Sequence, residues 1–153
     1  ASNQTLTKLG PQGRTTEITN AVNALSKLTG RPTMLFRPPY GAHNERVDVA
    51  MAKQNLAMVN WAADSNDWQS RDAGKITKAV TQYATTYTQP IIVLHDTYSS
   101  TADATSGLIE ALRHKGITLV TVSELTVNTG GLEAGKVYCR GTAVNQSGFG
   151  CHN

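Results

Sequence analysis

The sequence predicts an α/β fold with mostly parallel strands, and three observations carry that prediction. Apolar positions at helical spacing alternate four times with short apolar runs, in the order helix, strand, helix, strand, helix, strand, helix, strand. The run Ile91–Leu94 is continuously apolar, as strands covered on both faces are. Three polar motifs each fall just past a predicted strand, where functional groups of such folds gather. They are Arg37-Pro38-Pro39-Tyr40-Gly41, Asp64-Ser65-Asn66-Asp67-Trp68 and His95-Asp96.

Residues 1–13 are polar, contain Pro11 and Gly13, and read as loop. Ile18, Ala21, Val22, Leu25 and Leu28 then recur at helical spacing, which predicts a helix over 15–29 ended by Gly30 and Pro32. A short buried strand is predicted over 33–36. Asn44 is a suitable N-cap for a helix to Gln54 with Val47, Ala50 and Met51 inward. A second strand is predicted over 56–61. Asp72 caps the next helix, whose inner face is Ile76, Ala79, Val80, Tyr83 and Tyr87. Pro90 opens the strand 91–94. A helix over 101–115 buries Ala104, Leu108, Ile109, Ala111 and Leu112, and Gly116 suits its C′ position. A last strand is predicted over 117–122 and a turn over 123–125. Beyond Thr126, Gly and Asn dominate, so irregular structure is expected.

The 153 residues suit one domain. Charged residues make up 16% and the formal net charge is +3 without a basic run, so nucleic-acid binding is disfavoured. No apolar stretch approaches the ~20 residues that span a bilayer. The low-charge, Thr- and Asn-rich balance fits a secreted, extracellular protein. Cys139 and Cys151 flank a Gly-rich segment without a core pattern. A disulfide closing that loop implies an oxidising compartment, and the alternative is two free thiols in a loose tail. His152 alone does not complete a metal site with them.

His95 is the leading chemical candidate. An imidazole where an apolar strand meets solvent can transfer protons near neutral pH, and the plain alternative is a structural histidine at a strand end. A buried carboxylate from Asp64 or Asp67 paired with His95 would orient the ring. Trp68 would give an apolar wall or a sugar-stacking face. An Asx turn beside a core tryptophan is the alternative; it explains Asp64 and Ser65 well and Asp67-Trp68 less well. Two prolines stiffen the loop after Arg37, whose guanidinium suits holding a carboxylate or carbonyl oxygen; a Pro-rich turn with a surface arginine is the alternative. His43 is near enough to Tyr40 to line a cleft, and His114 suits the negative end of its helix. No Gly-x-Ser-x-Gly elbow, Walker loop, His-Glu-x-x-His or Cys-x-x-Cys occurs.

In this order, the three motifs resemble the last three motifs of the polysaccharide deacetylase family (the NodB-homology domain, carbohydrate esterase family 4). The resemblance covers about residues 3–126 and is strongest at 37–47, 64–76 and 91–96. It implies the C-terminal portion of a distorted (β/α) barrel over 1–126 and an irregular, disulfide-closed extension over 127–153. It also implies hydrolysis of acetyl groups on chitin oligosaccharides, peptidoglycan or acetylxylan by a metal-polarised water. By matching motif, His95 is the catalytic acid and Asp67 the carboxylate that tunes it. Arg37 orients the base aspartate and the Tyr40 N–H is an oxyanion donor. Leu94 forms the acetyl methyl pocket, and Trp68 and Pro39 line the groove.

The family's first two motifs supply the base and the ligands of a divalent metal, often zinc. Leu6-Thr7 resembles the Leu-Thr pair on the C-terminal side of the second motif, which puts one histidine's place near Asn3 and the other before Ala1. The base and metal ligands are therefore expected outside this sequence, and a barrel without its first strands would present an open edge. An associated N-terminal fragment of the same domain could cover it. The alternative functions are a non-catalytic carbohydrate-binding protein and a secreted protein that reuses the scaffold.

Overall fold

The structure, a computed structural model, describes residues 5–144, 148, 149 and 151. Its helices are α1 (Pro11–Thr29), α2 (Glu45–Lys53), α3 (Asp67–Ser70), α4 (Ala73–Thr86), α5 (Ser99–His114) and α6 (Val122–Thr126). Its strands are β1 (Leu35–Phe36), β2 (Ala42–His43), β3 (Ala57–Val59), β4 (Ala63–Asp64), β5 (Ile92–Val93), β6 (Val137–Tyr138), β7 (Ala143–Val144) and β8 (Gly148–Phe149). The α/β class with mainly parallel pairing is as expected. β1 pairs with β3, β3 with β6 and β4 with β5, all parallel. The antiparallel partners are β6 with β7 and β2 with β8.

Local chemistry explains most boundaries. Asn44 Oδ1 accepts from the Val47 N–H at 3.1 Å, and Asp72 Oδ1 from the Lys75 N–H at 2.8 Å, so both expected caps form. Gly116 adopts φ 73° at the end of α5, as a C′ residue does. α1 differs from expectation. It starts at Pro11, inside the segment read as loop, because a proline at the first helical position loses no hydrogen bond there. Only the first part of its apolar stripe is covered. Ile18 is fully buried, whereas Leu25 and Leu28 are 49% and 83% exposed.

Two corrections concern the C-terminal third. Residues 117–121 form no strand, and Leu119 and Val120 are about half exposed. No ladder partner lies beside them among the described residues, and the chain enters α6 through a capping box between Thr121 and Glu124. The stretch beyond Thr126 is not merely irregular. β6 lies between β3 and β7 in the four-stranded sheet β1-β3-β6-β7. Val137, Tyr138 and Cys139 are buried there.

Two apolar clusters result. One gathers Ile18, Val47, Met51, Leu56 and Met58 with Val137 and both cysteines. The other seals α4 against α5 through Ile76, Val80, Ala104, Leu108 and Leu112. The Cys139–Cys151 disulfide forms as expected, with a Cα–Cα distance of 5.9 Å. It therefore fastens the chain's end to the first cluster. Replacing both cysteines by alanine is expected to cost about 3 kcal/mol in denaturant unfolding. A loss below about 1 kcal/mol would show that the loop adds little constraint.

β1 is paired on one side only among the described residues, and Met34 and Leu35 beside that edge are exposed. Among the described residues, no helix is long and apolar enough to cross a membrane.

Candidate active site

The chain after β4 folds back on itself to bury one carboxylate. Asp64 Oδ1 accepts from the Asn66 N–H at 2.8 Å, an Asx turn, so this aspartate has the local role that turn chemistry gives it. Asn66 adopts φ 52°, and α3 begins at Asp67. The side chain of Asp67 is fully buried.

Asp67 has four donors around two oxygens. Oδ1 accepts from His95 Nδ1 at 2.7 Å and from the Trp68 N–H at 2.9 Å. Oδ2 accepts from the His95 backbone N–H at 2.6 Å and from Thr101 Oγ1 at 2.8 Å. Burial alone would push this carboxyl up. The bonds from the His95 ring, the His95 backbone and the Thr101 hydroxyl outweigh burial and hold it below the usual aspartate value. With the Nδ1 proton committed to Asp67, the imidazole presents Nε2. The His95 side chain is 34% exposed, so a proton on Nε2 is accessible from outside. A fixed, carboxylate-backed imidazole open to solvent on one nitrogen is built for proton transfer.

Other expected residues fall around this pair. Trp68 opens outward from α3, 46% exposed. Leu94 is half-buried and packs toward the α4–α5 cluster. Pro38 is buried, and Pro39, Tyr40 and Gly41 make a single 3-10 turn closed by the Gly41 N–H on the Pro38 carbonyl at 2.9 Å. Tyr40 sits at φ 60° and is 61% exposed. A left-handed tyrosine persists only where its surroundings hold it. Asn60 Nδ2 donates to the Gly41 carbonyl at 2.9 Å, and the Trp61 ring lies against Gly41. Trp61 therefore backs the loop. Gly41→Ala would place a Cβ 2.8 Å from Trp61 Cη2 at φ 66°. It is expected to cost about 1–3 kcal/mol in chemical denaturation; an unchanged midpoint would mean that the loop is not so held.

Arg37 is exposed and makes no ion pair or hydrogen bond with the described residues. His43 does not line a cleft. It is buried, with Nδ1 3.0 Å from Asp48 Oδ1. Burial pushes the Asp48 carboxyl up, against the pull of His43 and with the help of Glu45. His114 is exposed in the last turn of α5, as its dipole role requires. Asn3 and His152 lie outside the described residues.

Sequence reasoning missed Thr101, Arg71 and Tyr98. Thr101 reads as an ordinary helix-start threonine until α5 docks beside Asp67. Arg71 ends α3 at φ 46°, and its guanidinium lies 4.9 Å from the centre of the Tyr98 ring. That ring meets His95 edge-on at 6.2 Å.

Among the described residues, no three His, Cys, Asp or Glu side chains converge as a metal site would require. The described residues therefore do not fit the divalent metal that the family uses.

Fold and site together define an α/β protein with a carboxylate-backed histidine beyond its parallel strands. The chain is similar to members of the polysaccharide deacetylase family. The model of the polysaccharide deacetylase family matches residues 1–59, which include the Arg37–Gly41 loop. The peptidoglycan-N-acetylglucosamine deacetylase of Listeria monocytogenes is 33% identical over 133 residues, 87% of this chain and 27% of that protein. The bifunctional xylanase/xylan deacetylase of Cellvibrio japonicus is 34% identical over 100 residues, 64% of this chain and 15% of that protein. A solved deacetylase with its substrate matches with a TM-score of 0.80 and 28% identity, over 90% of this chain and 66% of that one. The chain thus spans about a quarter or less of these curated relatives.

Proposed function

We propose that this chain is part of a hydrolase that removes acetyl groups from a polysaccharide, and that it supplies the proton-donating side of the site. The observation that carries the proposal is the buried Asp67 carboxylate holding His95 Nδ1 at 2.7 Å while the ring stays open to solvent. Hydrolysis adds water to the acetyl carbonyl and breaks the bond to the sugar nitrogen or oxygen. The leaving atom needs a proton at that moment. Protonated His95 gives it from Nε2, and Asp67 steadies the cation before transfer.

The remaining roles rest on the resemblance. Arg37 orients the base, the Tyr40 N–H faces the developing oxyanion, Leu94 shapes the acetyl pocket, Pro39 lines the groove, and Trp68 stacks on the sugar. The three sheets are arcs of a distorted (β/α) barrel that takes in β6 from the segment beyond Thr126. The open edge of β1 is where further strands of the same domain, an N-terminal fragment among them, would pair. The Cys139–Cys151 disulfide favours an extracellular setting. The relatives act by name on peptidoglycan and xylan, so the substrate is an acetylated cell-wall or plant glycan.

Acetate release from peptidoglycan, chitin oligosaccharides and acetylxylan tests the proposal. His95→Ala is expected to lower release by about 100-fold or more, with the circular dichroism unchanged. Wild-type rates in that variant would remove His95 from the mechanism. Trp68 supports a second reading, glycan binding without hydrolysis, which would appear as saturable binding with no acetate.

A further inference from the structure

Asn60 directly follows β3 and is 1% exposed. Its backbone N–H donates to the Tyr138 carbonyl of β6 at 2.9 Å, which fixes the residue from the sheet side. Its side chain reaches the other way, and Nδ2 donates to the Gly41 carbonyl at 2.9 Å. That leaves Oδ1, which is buried and has no hydrogen-bond partner among the described residues. It lies 3.4 Å from the place a Cβ on Gly41 would take. A buried amide oxygen without a donor costs stability, and a leucine of similar size has no such group to bury. Packing alone therefore does not explain an asparagine here. What its side chain adds is one bond, and that bond ends on the Pro39–Gly41 turn.

The turn needs a hold from outside. Tyr40 and Gly41 both lie in the left-handed region, at φ 60° and 66°, and the tyrosine is strained there. The Gly41 N–H is tied to the Pro38 carbonyl, which anchors the peptide plane before Gly41. Asn60 anchors the plane after it through the Gly41 carbonyl. The Trp61 ring closes the space at the Gly41 Cα. On the other side, Pro38 is fully buried and the ring of Pro39 sets its own φ. The Tyr40 N–H lies between these fixed points, so its direction is fixed with them. We propose that Asn60 is a positioning residue that aims the Tyr40 N–H at the oxygen that turns negative as the acetyl group is hydrolysed. Asn60 touches no substrate and acts through Gly41. An oxyanion donor is effective only if it is aimed before the charge develops, which is what such a clamp provides. The same bonds tie the turn to β6, in the segment beyond Thr126. This inference rests on the deacetylase reading, because that reading gives the Tyr40 N–H its oxyanion.

Two variants of the full chain, Asn60→Leu and Asn60→Asp, test it beside wild type. Leucine removes the donor and the unpartnered oxygen together, so the denaturation midpoint is expected to hold or rise. Aspartate keeps the shape but sets a carboxylate oxygen against the Gly41 carbonyl, which should push the turn away. The first readout is amide hydrogen exchange followed by NMR, which needs no activity. The Gly41 N–H is expected to exchange about tenfold faster or more in both variants, while the amides of β3 and β6 keep their protection. The second readout is acetate release from the glycans named above. In Asn60→Leu, kcat is expected to fall about tenfold or more with KM unchanged, because the lost interaction belongs to the transition state. A purely structural asparagine would lower the midpoint and leave kcat alone, and that result overturns the proposal. So does a Gly41 N–H that stays protected in Asn60→Leu. Acetate release by wild type with an unchanged kcat in Asn60→Leu overturns the role of Asn60 and leaves the deacetylase reading standing. No release by wild type, with Gly41 protection still lost in the variants, overturns the deacetylase reading and takes the catalytic role of Asn60 with it.

Discussion

Removing residues 127–153 will abolish cooperative folding of what remains. β6 is an interior strand of the four-stranded sheet, not an ornament on its edge. The Met58 N–H donates to the Lys136 carbonyl, the Asn60 N–H to Tyr138 and the Ile91 N–H to Cys139. Truncation at Thr126 orphans all three donors in or beside the core. It also uncovers the faces that Val137, Tyr138 and Cys139 bury. Each such apolar side chain is worth about 1.5–3 kcal/mol, and each buried donor left unpaired costs about 1–3 kcal/mol. Together these match or exceed the whole stability of an ordinary domain, about 5–15 kcal/mol. Denaturant unfolding of the truncated chain should show no sigmoidal transition. A cooperative transition would instead establish 1–126 as a domain that stands by itself.

This strand also shows where the sequence was silent. Val137-Tyr138-Cys139 is three residues long, sits between Gly135 and Gly141, and lies just after a Gly-rich turn. Nothing local distinguishes it from a loop. It becomes a strand because β3 offers it a parallel edge and the disulfide holds it down, both tertiary facts. Residues 117–121 failed in the opposite sense. Their apolar run has the look of a strand, but a strand needs a neighbour to receive its hydrogen bonds. The helices fared better, since caps such as Asn44, Asp72 and Gly116 act within one turn of sequence.

The site divides along the same line. The pairing of a carboxylate from 64–67 with His95 was legible, because both come after apolar runs that enter a parallel sheet. Which aspartate pairs was also legible from the resemblance, and the Asx turn at Asp64 accounts physically for the other. Thr101 was not legible, because its bond to Asp67 exists only once α5 packs. Arg71 and Tyr98 were hidden for the same reason: one ends α3 and the other precedes α5, and only the fold brings them together at His95.

The second large effect centres on Asp67. Asp67→Ala is expected to cost about 3–5 kcal/mol in denaturant unfolding, the range for breaking a buried pair from one side. The alanine leaves the Thr101 hydroxyl and the His95 backbone N–H without their acceptor and frees the imidazole to rotate. Acetate release should fall with it, because an unheld ring no longer aims Nε2. Asp67→Asn separates charge from shape, since the amide oxygen can still accept from Thr101. Its signature is in the pH dependence. The folded Asp67 carboxyl lies below its unfolded value, so its contribution is fully present above the ordinary aspartate pKa of about 3.9. That contribution is lost as pH falls through the folded value. Asp48, raised by burial, acts with the opposite sign in both proteins and cancels in the difference. Wild type minus Asp67→Asn should therefore be constant near neutral pH and shrink in acid. A difference that stays flat down to a pH of about 2, well below the ordinary aspartate range, would mean that the His95 and Thr101 bonds do not favour the ionised carboxylate, and the proton-donor geometry would lose its support.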